Sequence, residues 1–237
     1  MTSTSGFNLI ATKCCGAVYS TPKYASVNTS AYEYWTDGAR LHSLMPTDGG
    51  LRRCRCGTYF LLKSTFRVGF EDERSTQGAE FIKDADLKNL ITKELSSDVE
   101  IIVRRRYWRI LNDPYRDLYR DHRKKEDAKN INRKSFFSRL FLRIGLLKNQ
   151  REEPLKFTVP SFTITEQLTQ NLERLLVLLE KEERKDYLEI TEILRELSRY
   201  EEASETMTKF TEEKNKVADL LKQLLAQQDN APYRYRL

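Results

Sequence analysis

All four cysteines of this 237-residue chain lie in its first quarter, where they form two short clusters. The clusters are Cys14-Cys15-Gly16 and Cys54-Arg55-Cys56-Gly57. A structural zinc ion takes four soft thiolate ligands in a tetrahedral arrangement. Two sharp turns supply those ligands well when each contains a glycine, which accepts a positive φ without strain. The sequence therefore predicts a structural Zn²⁺ ion bound by Cys14, Cys15, Cys54 and Cys56.

The predicted compartment supports metal binding by these thiols. The chain contains no apolar run of about 18 residues that would suit a membrane-spanning helix, and its Thr- and Ser-rich start is unlike a secretory signal. We therefore predict a cytoplasmic protein, in which clustered thiols bind metal more often than they form disulfides. Neighbouring cysteines such as Cys14 and Cys15 also bridge poorly, because their Cα atoms are only about 3.8 Å apart. A redox or disulfide role is the alternative.

Sequence patterns predict an α+β fold with a small β-rich, zinc-ribbon-like N-terminal domain followed by a mostly α-helical region. Short apolar and aromatic runs separated by Gly, Pro and Asp predict strands over residues 1–70. We expect a basic, partly helical connecting region over 71–158, helical hairpins over 159–230 and a tail over 231–237. The charged fraction of 32% exceeds the usual quarter or so and indicates long exposed helices.

The segment between the two cysteine clusters is rich in aromatic residues, namely Tyr19, Tyr24, Tyr32, Tyr34 and Trp35. A small domain with a thin core commonly fills that core with aromatic side chains, so core packing is the favoured interpretation. The alternative is an aromatic surface for a partner, to which Tyr34 and Trp35 would contribute.

The connecting region mixes several patterns. Helical spacing of leucines predicts a helix over Asp84–Leu95, and the β-branched run Val99–Val103 predicts a short strand, with a buried helix as the alternative. Pro114 predicts a break, because the residue before proline is disfavoured in a helix. The polar stretch Arg116–Lys134 predicts a solvated segment. Residues 135–147 form a basic amphipathic helix, for which packing against the protein is favoured and peripheral membrane contact is the alternative.

The C-terminal part predicts three helices. Thr165 can cap the first, which runs to about Lys185, and its buried face consists of Leu168, Leu172, Leu175, Leu176 and Leu179. The second helix covers Tyr187–Leu197, and the third extends to about Gln228. The residues around Ser198 resemble the inter-helix part of a tetratricopeptide repeat. No second copy follows at a period of about 34 residues, so we predict a tetratricopeptide-like hairpin rather than a repeat array.

Several short motifs in the first half of the chain resemble those of a family of uncharacterised bacterial proteins. They are Cys14-Cys15-Gly16, Tyr34-Trp35-Thr36-Asp37-Gly38, the run ending in Asp48-Gly49-Gly50-Leu51-Arg52-Arg53-Cys54-Arg55-Cys56-Gly57, Trp108, and Asn112-Asp113-Pro114-Tyr115-Arg116. The resemblance implies a cysteine-rich N-terminal module joined to a variable helical part, without an established activity. The chain departs from the common zinc-ribbon pattern CPxCG, because its first two cysteines are adjacent and one residue separates the second two.

The sequence predicts a protein that is not an enzyme. The chain has only two histidines, and neither a phosphate-binding Gly-x-x-x-x-Gly-Lys-Ser/Thr loop nor a Gly-x-Gly-x-x-Gly turn occurs. A zinc ion with four cysteine ligands has no open position for water or substrate. No small-molecule substrate is indicated.

Two non-catalytic functions of different class remain. The favoured function is an interaction scaffold that binds a protein partner through the zinc module and the helical hairpins. The alternative is nucleic-acid binding by residues 104–134, with cations on phosphates and aromatic rings stacked on bases. The residues predicted to bind are Arg104, Arg105, Arg106, Tyr107, Trp108 and Arg109. Residues 104–151 hold 16 Lys and Arg against 5 Asp and Glu, whereas residues 161–230 hold 10 against 16. The acidic residues interleaved in the basic run repel phosphate and favour the scaffold function.

Overall fold

The computed structural model describes residues 3–26, 31–42, 49–144, 160–212 and 215–235, with side chains at all of these positions except 32, 42 and 129–144. It contains two compact units. The first unit consists of Met1–Leu111 and Ile164–Leu237, and the second consists of Asn112–Thr163. The domain boundaries expected at residues 70, 158 and 230 stay predictions. Within the described residues, no helix is both long enough and apolar enough to cross a membrane.

The strands of the described residues form three small antiparallel sheets, each with three strands. The strands are β1 (Ser3–Ala11), β2 (Val18–Ser26), β3 (Ala31–Trp35), β4 (Arg40–His42), β5 (Leu51–Arg53), β6 (Tyr59–Leu61), β7 (Phe66–Glu71), β8 (Glu80–Phe81) and β9 (Arg234–Tyr235). The sheet orders are β2-β1-β7, β4-β3-β9 and β6-β5-β8. Because β9 pairs with β3, the C-terminal segment belongs to the same unit as the N-terminal sheets. The prediction of an N-terminal part rich in short strands is confirmed.

Six helices occur within the described residues. They are α1 (Leu87–Leu90), α2 (Ser97–Ile144), α3 (Glu166–Glu180), α4 (Tyr187–Glu196), α5 (Tyr200–Thr208) and α6 (Lys216–Ala226). Together with the sheets they give an α+β fold, as the sequence predicted. A 3₁₀ turn at Asp84–Asp86 precedes α1, so the helix expected over residues 84–95 is present only as this turn and four helical residues.

Of the two alternatives for Val99–Val103, the short strand is wrong and the buried helix is confirmed, because these residues lie in the first turns of α2. Val99 and Val103 are one helical turn apart and are 3% and 0% exposed. Both pack in a core cluster that includes Leu51, Leu61 and Leu87. Burial of one helical face against the β5–β6 hairpin and α1 therefore outweighs the modest preference of β-branched residues for strands.

The break predicted at Pro114 is also wrong, because this residue lies inside α2. Proline removes one helical hydrogen bond and clashes with the preceding turn, at a cost of about 3 kcal/mol. The helical hydrogen bonds before and after Pro114 offset this cost, so α2 continues through it.

The segment Arg116–Lys134, which the sequence predicted to be solvated, is also part of a helix. Arg116 and Tyr119 within it are buried. In the second unit the ring of Tyr115 meets Phe162 edge-on, with 5.1 Å between ring centroids.

The amphipathic helix predicted at 135–147 is helical in its backbone up to Ile144. Its side chains and residues 145–147 lie outside the described residues, so its apolar stripe and its membrane contact stay predictions.

The first two C-terminal helices agree with the sequence. The hydroxyl of Thr165 accepts the N–H of Leu168 at 3.2 Å and caps α3, whose five predicted leucines are all buried. The third predicted helix is instead two helices, α5 and α6. The α6 helix has its own cap, since Asn215 accepts the N–H groups of Val217 and Ala218. Ser198, between α4 and α5, takes a φ of 60°, although its predicted role in a tetratricopeptide-like hairpin stays a prediction.

Candidate metal centre

The first two cysteines occupy the turn of the β1–β2 hairpin. The N–H of Thr12 donates to the carbonyl of Ala17 at 3.0 Å, and the N–H of Gly16 donates back to the carbonyl of Thr12 at 3.0 Å. Gly16 has a φ of 66°, which a residue with a side chain adopts only at a cost. The turn thereby projects the thiols of Cys14 and Cys15 from the end of the hairpin.

The second two cysteines occupy the turn of the β5–β6 hairpin. The N–H of Cys54 donates to the carbonyl of Thr58 at 2.8 Å, and the N–H of Gly57 donates to the carbonyl of Cys54 at the same distance. Gly57 has a φ of 88°. The glycine that follows each cysteine cluster therefore has the positive φ that the sequence predicted.

The two turns bring all four cysteine sulfurs together. Their Sγ atoms lie within 4.8 Å of one another. The Cys15 and Cys54 sulfurs are 3.4 Å apart, and those of Cys14 and Cys56 are 3.5 Å apart. Four sulfurs bound tetrahedrally at about 2.3 Å from one metal ion would be about 3.8 Å apart. The four thiols are free of disulfide bonds, and their spacing fits a tetrahedral metal ion.

Exposure differs among the four thiols. Cys14, Cys15 and Cys56 are exposed, whereas Cys54 is 3% exposed and packs in a small core cluster with Ile10, Tyr19 and Phe60, among others. One ligand therefore lies in the protein interior and the other three face solvent.

Tyr19 contacts the buried thiol of Cys54. The sequence predicted core packing for this residue, with an aromatic partner surface as the alternative, and did not indicate this contact. Its hydroxyl donates to Cys54 Sγ at 3.3 Å and accepts the backbone N–H of Arg55 at 2.7 Å. Its ring stacks on Phe60, with 6.0 Å between centroids. The hydroxyl of Thr12 lies 3.7 Å from Cys54 Sγ and 3.9 Å from Cys15 Sγ. The sequence could have indicated Tyr19 only through its position five residues after Cys14. The strand register is needed to show that its ring turns towards the cysteines.

The surroundings set different pKa values for the thiols. Although Cys14 is exposed at the surface, desolvation by neighbouring groups raises the pKa of its thiol to about 11, with further increases from its hydrogen bonds to the other thiols. Burial also raises the pKa of Cys54, but hydrogen bonds from the Tyr19 hydroxyl and the Cys56 backbone outweigh it and lower that pKa to about 5. Hydrogen bonding with the Thr58 side chain and backbone lowers the pKa of Cys56. The hydrogen-bond donors of the second turn therefore favour the thiolate form that a metal ion requires.

The arginines predicted to bind nucleic acid are engaged within the first unit. Arg104 Nε donates to Glu100 at 2.7 Å, and Arg105 forms a two-pronged ion pair with Glu189. Arg106 is 8% exposed and donates to the carbonyl of Ile82 at 3.1 Å and to Asp84. These contacts connect α2 to its neighbours.

The aromatic residues predicted to bind are mostly buried. Tyr107, Trp108 and Trp35 are 6%, 2% and 1% exposed. The indole of Trp108 donates to Glu196 at 2.8 Å, and the indole of Trp35 donates to Glu33 at 2.6 Å.

The last two residues predicted to bind, Arg109 and Tyr34, are half-buried. A β-carbon added to Gly38 would lie 3.2 Å from Nη2 of Arg109, so this guanidinium lies against the Asp37-Gly38 turn. Tyr34 packs on Tyr235 with 5.8 Å between centroids. The predicted binding residues therefore divide between an internal network around α2 and the β3–β9 pairing, and they do not form one exposed patch.

The fold and the site define an α+β protein with a candidate metal centre made of four cysteines from two β-hairpin turns. Comparisons of the chain with protein-family models, curated proteins and solved structures found no match. The resemblance to a bacterial family therefore stays a prediction.

Proposed function

We propose that this chain is a non-enzymatic interaction scaffold of the cytoplasm whose N-terminal hairpins are joined by a structural zinc ion. The observation that carries the proposal is the convergence of the four cysteine sulfurs within 4.8 Å. Four thiolates complete a tetrahedral coordination shell, which is the arrangement of structural zinc sites. Catalytic zinc sites keep one position for water or substrate, so the donor set supports a structural role.

The metal would connect two sheets that share only a thin core. The first turn belongs to the sheet β2-β1-β7, and the second belongs to the sheet β6-β5-β8. The core cluster beneath the cysteines is formed by Ile10, Ala17, Tyr19, Cys54, Phe60 and Ala79. So few buried side chains give limited stability, and small domains of this kind commonly rely on a metal or on disulfides. The zinc ion would therefore hold in place the strands that meet the partner.

Strand β7 offers a surface for that partner. It is an edge strand, and Phe66, Val68 and Phe70 are 59%, 55% and 39% exposed. The register against β1 shifts between Leu9 and Ile10, which leaves Val68 outside the ladder as a bulge. Exposed apolar edge strands accept a further strand from another chain, and the bulge limits such pairing to the residues on either side of it. We assign β7 as the docking strand for an extended segment of a protein partner.

Charge at this edge favours an acidic partner segment. The ammonium group of Lys13 lies 5.2 Å from the centroid of the Phe66 ring, and that of Lys23 lies 5.0 Å from the Phe70 ring. Glu71 ends this strand and Asp72 and Glu73 follow it, so the positive charge is least offset at the Phe66 end. An extended segment with apolar and acidic side chains would meet both the rings and the lysines.

Metal analysis of the purified protein tests the first half of the proposal. We expect about one zinc ion per chain, as a single four-cysteine site predicts. Cys56→Ser should lose this zinc and lower the unfolding temperature, because metal binding is coupled to folding. Arg55→Ala, in the same turn, retains all four thiols and should keep the metal. A folded wild-type protein without metal would contradict the proposal.

Site-specific photo-crosslinking tests the second part of the proposal, that β7 binds a protein partner. A crosslinking residue at position 68 should capture one defined protein, whereas the same residue at Val177, an exposed apolar position of α3, should not. Val68→Lys should abolish binding of the identified partner, because a charged side chain blocks strand addition, while Val177→Lys should leave it intact. If the protein binds nucleic acid in a salt-sensitive way and Val68→Lys leaves this binding unchanged, the result would favour nucleic-acid binding over the scaffold function.

A further inference from the structure

We infer that the cysteine cluster is also a thiol-oxidation site, at which hydrogen peroxide converts the four thiolates into two defined disulfides, Cys14–Cys56 and Cys15–Cys54. The inference rests on the proposed metal site and adds a form of regulation to it. Oxidation would release the metal while leaving the two hairpins connected.

The pairing follows from the geometry of the cluster. Two sulfur contacts join one turn to the other, at 3.4 Å for Cys15 and Cys54 and at 3.5 Å for Cys14 and Cys56. Pairing within the first turn would require a disulfide between adjacent residues, whose Cα atoms are too close for ordinary disulfide geometry. Pairing within the second turn would bridge Cys54 and Cys56 across a single residue of a tight turn. Both cross-turn disulfides require only small movements of sulfurs that are already in contact.

The exposure of the thiols sets the order of the two steps. Cys14 and Cys56 are both exposed, so peroxide reaches both thiols of this pair, whereas Cys15 is the one exposed thiol of the other pair. Cys54 is 3% exposed and lies beneath the hydroxyl of Tyr19. We therefore expect the outer pair, Cys14–Cys56, to oxidise first. Loss of two of the four ligands releases the metal and frees the inner pair, Cys15–Cys54, for the second step.

Each disulfide forms in two chemical steps that balance. One thiolate attacks peroxide and becomes a sulfenic acid as the O–O bond breaks, and the leaving hydroxide takes a proton to give water. The second thiolate attacks that sulfur, the S–S bond forms, and the second hydroxide leaves and is protonated to water. In total four thiolates lose four electrons, two peroxide molecules and four protons become four water molecules, and the metal leaves as Zn²⁺.

The oxidised protein should stay folded. The two cross-turn disulfides connect the β1–β2 hairpin to the β5–β6 hairpin, which are the same two elements that the metal connects. Removing the metal with a chelator under reducing conditions leaves no such connection. Oxidation should therefore leave the first unit more stable than chelation under reducing conditions does.

The experiment uses the full-length, zinc-loaded protein and measures three quantities during titration with hydrogen peroxide. Zinc release is followed with a chromophoric chelator, disulfides are mapped by alkylation and mass spectrometry, and the unfolding temperature is recorded. We expect one equivalent of zinc to be released, the Cys14–Cys56 disulfide to appear before Cys15–Cys54, and the unfolding temperature to stay above that of the chelated, reduced protein. Dithiothreitol with added zinc should restore the starting state.

Other results would overturn the inference. They are a disulfide within either turn, oxidation of the thiols to sulfinic acid, zinc retained under excess peroxide, or an oxidised protein as unstable as the chelated one. A purified protein that binds no metal would instead contradict the proposed function. In that case the disulfide pairing can still be mapped on the reduced thiols, so the two failures are distinguishable.

Discussion

Substitution of Tyr19 by phenylalanine tests how the protein supports its candidate metal centre. The change removes a single oxygen atom and keeps the ring that stacks on Phe60. That oxygen donates to Cys54 Sγ at 3.3 Å and accepts the N–H of Arg55 at 2.7 Å. Tyr19→Phe therefore removes the donor that favours the Cys54 thiolate and also leaves a backbone N–H of the second turn without this acceptor.

Loss of a hydrogen bond to a metal ligand typically weakens metal binding 10- to 100-fold. We expect the zinc affinity of Tyr19→Phe to fall within this range, which corresponds to about 1.4 to 2.7 kcal/mol. The assay is competition for zinc against a chromophoric chelator of known affinity at fixed pH. The unfolding temperature of the metal-free protein should change less than that of the zinc-loaded protein.

Tyr24→Phe is the matched control, because Tyr24 lies on the same strand, β2, and its side chain faces solvent. This variant should bind zinc like the wild type. An unchanged zinc affinity in Tyr19→Phe would refute the inferred support of Cys54 by the Tyr19 hydroxyl. Equal losses in both variants would show that the effect is not specific to this hydrogen bond.

Three further variants test the fold around the site. The pKa of Glu100 is lowered by hydrogen bonds from Arg174 and Arg104, so Glu100→Gln should cost about 1.5 to 3 kcal/mol at neutral pH. This difference in the free energy of unfolding between the wild type and the variant is present above the unfolded-state pKa of about 4.5. It should vanish as the pH falls through the lower pKa of Glu100 in the folded state, and urea unfolding at several pH values would show this. Thr165→Ala should lower the free energy of unfolding by about 1 kcal/mol, because α3 loses its cap. Gly57→Ala should cost about 1 to 2 kcal/mol and weaken zinc binding, because alanine is strained at a φ of 88°, and calorimetry with metal analysis would detect both effects.

Local features of the fold could be predicted because their causes lie within a few residues of sequence. The helix cap at Thr165 depends on a hydroxyl and an N–H three residues later, and the buried leucines of α3 follow a helical period. The positive φ of Gly16 and Gly57 follows from the sharp turns that the cysteine clusters require.

Features that depend on distant partners were left open or missed. The helical state of Val99–Val103 depends on core residues such as Leu51 and Leu61, which lie about 40 or more positions earlier in the chain. The arginines of α2 resembled a basic surface because the sequence does not show that Glu100, Glu189 and Asp84 neutralise them. Strand β9 is too short to be predicted from its sequence pattern, and it is recognised only by its pairing with β3.

The sequence by itself determined the donor set of the candidate centre, since four thiols beside two glycines are a property of composition and spacing. Only the tertiary structure decided that these thiols converge, because convergence requires hairpins of two different sheets to pack over a shared core. It also decided that Cys54 is the buried thiol, that the Tyr19 hydroxyl donates to it, and that sulfur contacts of 3.4 and 3.5 Å join the two turns. Contacts of this kind arise from packing between remote segments, whereas turn chemistry and helix periodicity arise from neighbours along the chain.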